Sequence, residues 1–138
     1  MAKQAGLGDY IAVDDSGGSA RDISDNITSY EVANTQNLLD STTISKSAME
    51  RLIGLGDYVM TLTGVFDKAS NKSHDVFKTK SGTRTVTLAI GGNTSGYPKL
   101  ESEMLVSDYN LSRGNDGGLT WTATLNLQSG TVPTWSTV

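Results

Sequence analysis

The 138-residue sequence contains no cysteine. That excludes a disulfide framework, a thiolate zinc site and a cysteine nucleophile, and it leaves the redox compartment open. A single histidine, His74, excludes multi-histidine metal centres. Bases are scarce: 11 Lys and Arg stand against 15 Asp and Glu, for a formal net charge of −4. No broad basic surface can therefore form to hold a phosphate backbone. No apolar run is long enough to span a bilayer as a helix. The opening residues Met1–Gly6 carry no apolar signal-peptide core, which points to a chain kept in cytosol-like conditions. There are only two prolines, and the apolar fraction of 36% is below the globular norm. No G-x-S-x-G or phosphate-loop spacing occurs.

What is present is glycine, at 15 residues, among abundant Ser, Thr, Asn and Asp. The length fits one domain spanning 1–138. Period-2 alternation, the mark of a strand with two unlike faces, predicts strands at 10–14, 20–23, 27–34, 57–67, 83–90, 101–113 and 119–128. In 57–67, Tyr58, Met60, Leu62 and Phe66 share a side. In 119–128, Leu119, Trp121, Ala123, Leu125 and Leu127 do. Asp14–Ser19 and Asn115-Asp116-Gly117-Gly118 read as hairpin turns. Segment 35–56 reads as a long polar connection holding a short helix at 45–52, with Ser47 and Glu50 as a capping box and Gly54 as its stop. A second short helix is expected within 68–79. Residues 129–138 read as an extended tail. The sum is a mainly β fold: an antiparallel sandwich or barrel of about six strands with a flanking helix and a long loop.

The pentapeptide GLGDY occurs twice, at 6–10 and 54–58. The copies diverge at once on both sides, which argues against a duplicated unit. Each reads as a glycine turn feeding a strand, and the second as a hinge between the long loop and the sheet.

Few residues carry chemistry. His74 beside Asp75 has the residue types of a dyad, but a solvated helix residue is by far the better explanation. Asp14, Asp15, Asp22 and Asp25 could ligate calcium, but their spacing is not that of an EF-hand, and a capped hairpin turn uses the same residues. Gly91-Gly92-Asn93 lacks nucleotide-loop spacing. No catalytic residue, cofactor or metal is expected. Two features stand out instead. Trp135 lies past the last long strand, where a monomer has little to bury it. The polar strand faces carry threonine (Thr61, Thr63, Thr83, Thr85, Thr87, Thr120, Thr122, Thr124) rather than the Lys and Glu usual on exposed sheets. Such faces suit a sheet that continues into neighbours or lines a confined surface, and they also suit plain strand propensity.

Four stretches in order, YIAVDDSGGSARDISDNITSYEV (10–32), SAMERLIGLGDYVMTLTGVFD (47–67), RTVTLAIGG (84–92) and LESEMLVSDYNLSRGNDGGLTWTATLNLQSGTVPTW (100–135), resemble the tail tube (major tail) proteins of long-tailed bacteriophages. The resemblance covers nearly the whole chain. It implies a non-enzymatic β-sandwich subunit of hexameric rings that stack into a tube. It also implies assembly in the host cytoplasm, residence in the virion, and tape-measure, tail-tip and tail-terminator proteins as partners, with DNA only as passing cargo and no membrane contact. The family's loop after the first strand pair touches the adjacent ring. The matching segment makes Leu38, Leu39, Ile44, Met49 and Leu52 candidate contacts, with Trp135 joining them. The polar sides of the long strands (Thr61, Thr63, Glu101, Glu103, Asp108, Thr120, Thr122, Thr124) are candidates for the lumen. Alternative readings are another phage structural protein, such as a capsid decoration or tail-terminator protein, or a ligand-binding β-sandwich module.

Overall fold

A computed structural model describes residues 7–138. Its strands are β1 (Tyr10–Asp14), β2 (Ala20–Asp22), β3 (Ile27–Asp40), β4 (Arg51–Val65), β5 (Arg84–Ala89), β6 (Pro98–Arg113), β7 (Leu119–Leu127) and β8 (Ser136–Thr137), with one helix, α1 (Ser73–Phe77). All eight strands belong to one antiparallel sheet in the order β2-β1-β5-β6-β7-β4-β3, with β8 added to β6. The sheet is not closed into a barrel.

One face of the sheet is dry. Ile11, Val13, Tyr58, Met60, Leu62, Val86, Leu88, Leu100, Met104, Val106, Trp121, Ala123 and Leu125 are buried on it, joined by Ile23 and by Val76 and Phe77 of α1. Burying each such side chain contributes about 1.5–3 kcal/mol, so this face drives folding. The alternation read from the sequence in β4 and β7 is the alternation observed.

The sheet rolls over that core, since its two ends meet. The 3-10 turn Ser24–Asn26 carries the chain from β2 at one end straight into β3 at the other. Tyr30 of β3 donates its hydroxyl to the Asp9 carboxylate, whose other oxygen accepts the Gly91 N–H at 2.7 Å. Between the ends lies a cleft of about 470 Å³. Asn26, buried, fixes the corner. Its amide donates to Asp67 at 3.0 Å and its side-chain oxygen accepts the Ser73 N–H at 3.1 Å, tying the turn to the end of β4 and the start of α1. Gly64 is required there, because a Cβ would run into the Asn26 carbonyl and touch Trp121. The indole N–H of Trp121 reaches the Val65 carbonyl at 2.8 Å. A second anchor is Arg84, fully buried, whose guanidinium donates to the carbonyls of Asp14, Val76, Thr79 and Ser81. It thereby holds β1 and the end of α1 together.

Several expectations are corrected. Segment 35–56 is not a loop with a helix: β3 and β4 continue as a ladder to Asp40↔Arg51, extended by Ser41 N–H to the Glu50 carbonyl at 2.9 Å. The capping box at Ser47 and Glu50 does not form. Glu50 instead pairs with Lys46 at 3.5 Å, and its N–H is taken by the Thr42 hydroxyl. A two-turn helix with nothing to dock on cannot offset its nucleation cost, whereas the hairpin adds a bond with each step outward. The second helix is shorter than expected, five residues, because Asp67, Asn71 and Asp75 hold its approach as a turn. The tail gains a strand, β8. The second GLGDY lies inside β4 and does not begin it.

Replacing Gly64 with Ala is expected to lower the free energy of unfolding by roughly 2–4 kcal/mol, read from urea titration. The Asp67 carboxyl is held below its usual range, chiefly by the Ala69 N–H and then by the Asn26 amide. A lowered folded pKa contributes stability above the unfolded value of about 3.9 and loses it as pH falls through the folded value. Asp67→Asn should therefore flatten the acid limb of a stability-against-pH curve below about pH 4.

Candidate functional site

The second face of the sheet is formed by the residues that alternate with the core. Across the strands its rows read Ser29–Thr63–Thr122–Asn110 and Glu31–Thr61–Thr124–Asp108, continuing to the pairs Thr85–Glu103 and Thr87–Glu101. All eight residues singled out as lumen candidates lie on this face: Thr61, Thr63, Glu101, Glu103, Asp108, Thr120, Thr122 and Thr124. Asp108 joins Glu101 and Glu103 despite its opposite parity. β6 carries one extra residue between Val106 and Asp108, so the strand changes sides at Ser107. Ser107 is held there by its bond to the Thr124 carbonyl and by the Asn126 amide. The same bulge returns Tyr109 to the dry side, among Phe77, His74 and Trp121. This switch explains the weak periodicity of 101–113.

The charge of the face is one-sided. Its acids are Asp14, Asp22, Glu31, Asp57, Glu101, Glu103 and Asp108, and its one base among the described strand residues is Lys99. Thr85 and Thr87 donate to Glu103 and Glu101 at 2.6 and 3.2 Å, which orients those carboxylates along the sheet. Asp22 and Glu31 were not singled out from the sequence for this face. Only the strand register could place them there.

The second candidate set lies on the outer part of the β3–β4 hairpin, residues 34–57, which projects past the core as an arm. Leu38, Leu39, Ile44, Met49 and Leu52 are all exposed on it, as are Ile53 and Leu55, which sequence reasoning passed over. Leu38 stands opposite Ile53, and Leu39 opposite Leu52, on the other side of the hairpin. The arm is thus apolar on both sides. Trp135, 54% exposed, belongs to a neighbouring feature. β7 and β8 pair with the same edge of β6, and residues 128–135 leave that line between them. Pro133 has no N–H with which to bridge the gap. The excursion sets Val132 against Gly56 at the base of the arm. Arm and excursion therefore meet at Gly56, at one end of the sheet.

The other chemical candidates are absorbed by structure. Asp15 accepts the Gly17 and Ser19 N–H groups and pairs with Arg21 at 3.0 Å, and the first of its lowering influences is the Ser19 bond. Asp22 caps Ser24, and Asp25 pairs with Lys72 at 3.1 Å. His74 meets the Tyr109 hydroxyl at 3.1 Å and the Phe66 ring, while Asp75 turns to Lys78 at 2.8 Å. The two do not form a dyad. Burial pushes the Tyr58 phenol up to about 12.

No protein-family model and no curated protein matches the chain. Solved structures do match. The tail of an empty gene transfer agent (GTA) particle, refined helically with C6 symmetry, superposes with a TM-score of 0.74 at 13% identity, covering 99% of both chains. The virion of a native gene transfer agent particle gives a TM-score of 0.71 at 13% identity over 99% of each chain. The SPP1 tail tube gives a TM-score of 0.74 at 10% identity, covering 99% of this chain and 80% of that one. At such identities the likeness is one of fold: this chain shares the fold of these tail and virion chains.

Proposed function

We propose that this chain is a structural subunit of a viral-type tail tube, with no catalytic role. Six copies form a ring, rings stack, and the finished tube conducts DNA out of a virion. The observation that carries the reading is the one-sided second face: a broad, threonine-rich, acidic surface, nearly free of bases, backing onto a core that fills only the opposite side. A lumen of that composition repels a polyanion and lets it slide, whereas a basic lumen would retain it through counterion release. Rolled sheets left open at β2 and β3 also leave unpaired strand edges, and closure through neighbours in a ring removes them. The C6 symmetry of the GTA tail supports the ring number.

In this reading the polar face lines the lumen, and the arm, with Leu38, Leu39, Ile44, Met49 and Leu52, contacts an adjacent ring together with Trp135. Burying those side chains supplies about 1.5–3 kcal/mol for each one fully covered, which suits an assembly held by many copies of one contact. A tape-measure protein fills the lumen before DNA does, tail-tip and terminator proteins bound the tube, and assembly occurs in the host cytoplasm.

Negative-stain microscopy of the purified protein, with tail-tip components added if it stays monomeric, should show rings or hollow tubes of six-fold symmetry. A strict monomer under both conditions would overturn the proposal. The double variant Leu38→Asp, Leu39→Asp should remain a folded monomer with unchanged circular dichroism but form no stacked tubes; normal stacking would remove the arm from the interface. Fluorescence anisotropy should detect no duplex DNA binding at physiological salt, and a Kd tighter than about 1 µM would contradict a conduit.

A further inference from the structure

We infer that the C-terminal excursion is a strut that sets the angle of the arm, with Val132 as the wedge and the glycines of the second GLGDY as the joint. The arm's role in assembly is the reading proposed above. The strut itself is a property of the single subunit.

The joint is visible in the ladder. β3 and β4 run in register from Ser29↔Thr63 to Gln36↔Gly56, then shift, so that β4 holds one extra residue between Ile53 and Gly56. A bulge bends a hairpin and increases its twist. Here it separates the part of β4 that packs on the core from the part that projects. Three contacts set the bend. The Gln36 side-chain amide donates to the Gly54 carbonyl at 2.7 Å. Leu39 lies over Gly54, where a Cβ would come within 3.3 Å of its Cγ. On Gly56 sits Val132 of the excursion: a Cβ there would lie 2.6 Å from Val132 Cγ2. The first two contacts are internal to the arm and move with it. Val132 braces the joint from outside the arm.

The brace has a fixed footing. On one side the excursion leaves β7 with Gln128 N–H bonded to the Glu103 carbonyl at 3.0 Å. On the other it returns as β8, paired at Lys99↔Ser136 and Pro98↔Thr137, with Val138 N–H on the Tyr97 carbonyl at 2.9 Å. Both feet stand on β6, a core strand. Within the excursion, Pro133 restricts the backbone beside Val132. An arm with no buried face of its own would otherwise sample many angles, and docking it would cost that freedom. A brace anchored on the core removes part of the cost before assembly.

The test is amide hydrogen exchange on the full chain as a monomer. Val132→Ala should speed exchange of the ladder amides in 38–40 and 51–53 by about tenfold, leaving the core amides of Tyr58–Leu62 unchanged. Gly56→Ala should displace the wedge and speed exchange in both the arm and 129–135. The pair Gly56→Ala with Val132→Ala restores volume across the contact and should exchange more slowly than the sum of the single effects predicts. Unchanged arm exchange in Val132→Ala, additive acceleration in the pair, or an arm already unprotected in the wild type would each overturn the strut. Tube formation, measured separately, bears on the functional reading: a wild type that forms no tubes but shows the predicted exchange pattern refutes that reading and leaves the strut standing.

Discussion

The roll of the sheet hangs on Asn26. Its backbone oxygen faces Gly64, and its side chain ties Asp67 and the first turn of α1 to the corner where β2 passes into β3. An eight-stranded sheet with a single dry face has to curl over its core or leave that core wet. The curl needs one point where the ends approach without a ladder between them. Asn26 supplies it with side-chain bonds, which is why a buried amide stands among apolar neighbours: both polar atoms of its side chain have a partner. The Asp9–Tyr30 bond fastens the same seam further along. Arg84 does similar work at the far side of the core, spending its guanidinium on backbone carbonyls alone.

Once the core faces inward, the other face is fixed by geometry. Strands turn alternate residues outward, so the acids and threonines of seven strands are gathered into one surface although they lie far apart along the chain. The Ser107 bulge is a local adjustment that serves both sides at once: Asp108 goes out to the acidic face and Tyr109 goes in to the aromatic cluster. The exposed leucines and Ile53 of the arm lie beyond the rows that back onto the core, at one end of the sheet. The proposed role in stacked rings uses that separation between a surface that must not adhere and one that must.

The two copies of GLGDY show how context decides what a motif does. Gly8 sits at φ +82 in a turn before β1 and needs the left-handed freedom of glycine. Gly54 and Gly56 lie within a strand, and what they need is the missing Cβ, because Leu39 and Val132 occupy that space. One pentapeptide meets two different physical requirements, and the hinge expected at the second copy is a bulge inside β4, not the end of a loop.

Much of this was legible in the sequence. Period-2 alternation in 57–67 and 119–128 reveals its dry side directly, since a strand's faces depend only on parity. The turn residues of Asp14–Ser19 and Asn115–Gly118 set their hairpins by local backbone preference, and the exposed apolar residues of 35–56 and Trp135 stood out as needing a partner. What depends on pairing was not legible. Segment 35–56 carries local helix signals, and only a partner strand alongside could hold it extended to Asp40 and Arg51. Asp108 shows the wrong parity until the register across β7 exposes the bulge. Asp22 and Glu31 enter the acidic face only through strands distant in sequence. The sequence by itself determined which residues alternate and where the chain turns, because those are properties of a few neighbouring dihedrals and side chains. Tertiary structure alone decided which strand lies beside which, where register slips, and what rests on a bare glycine, because each is a contact between segments tens of residues apart.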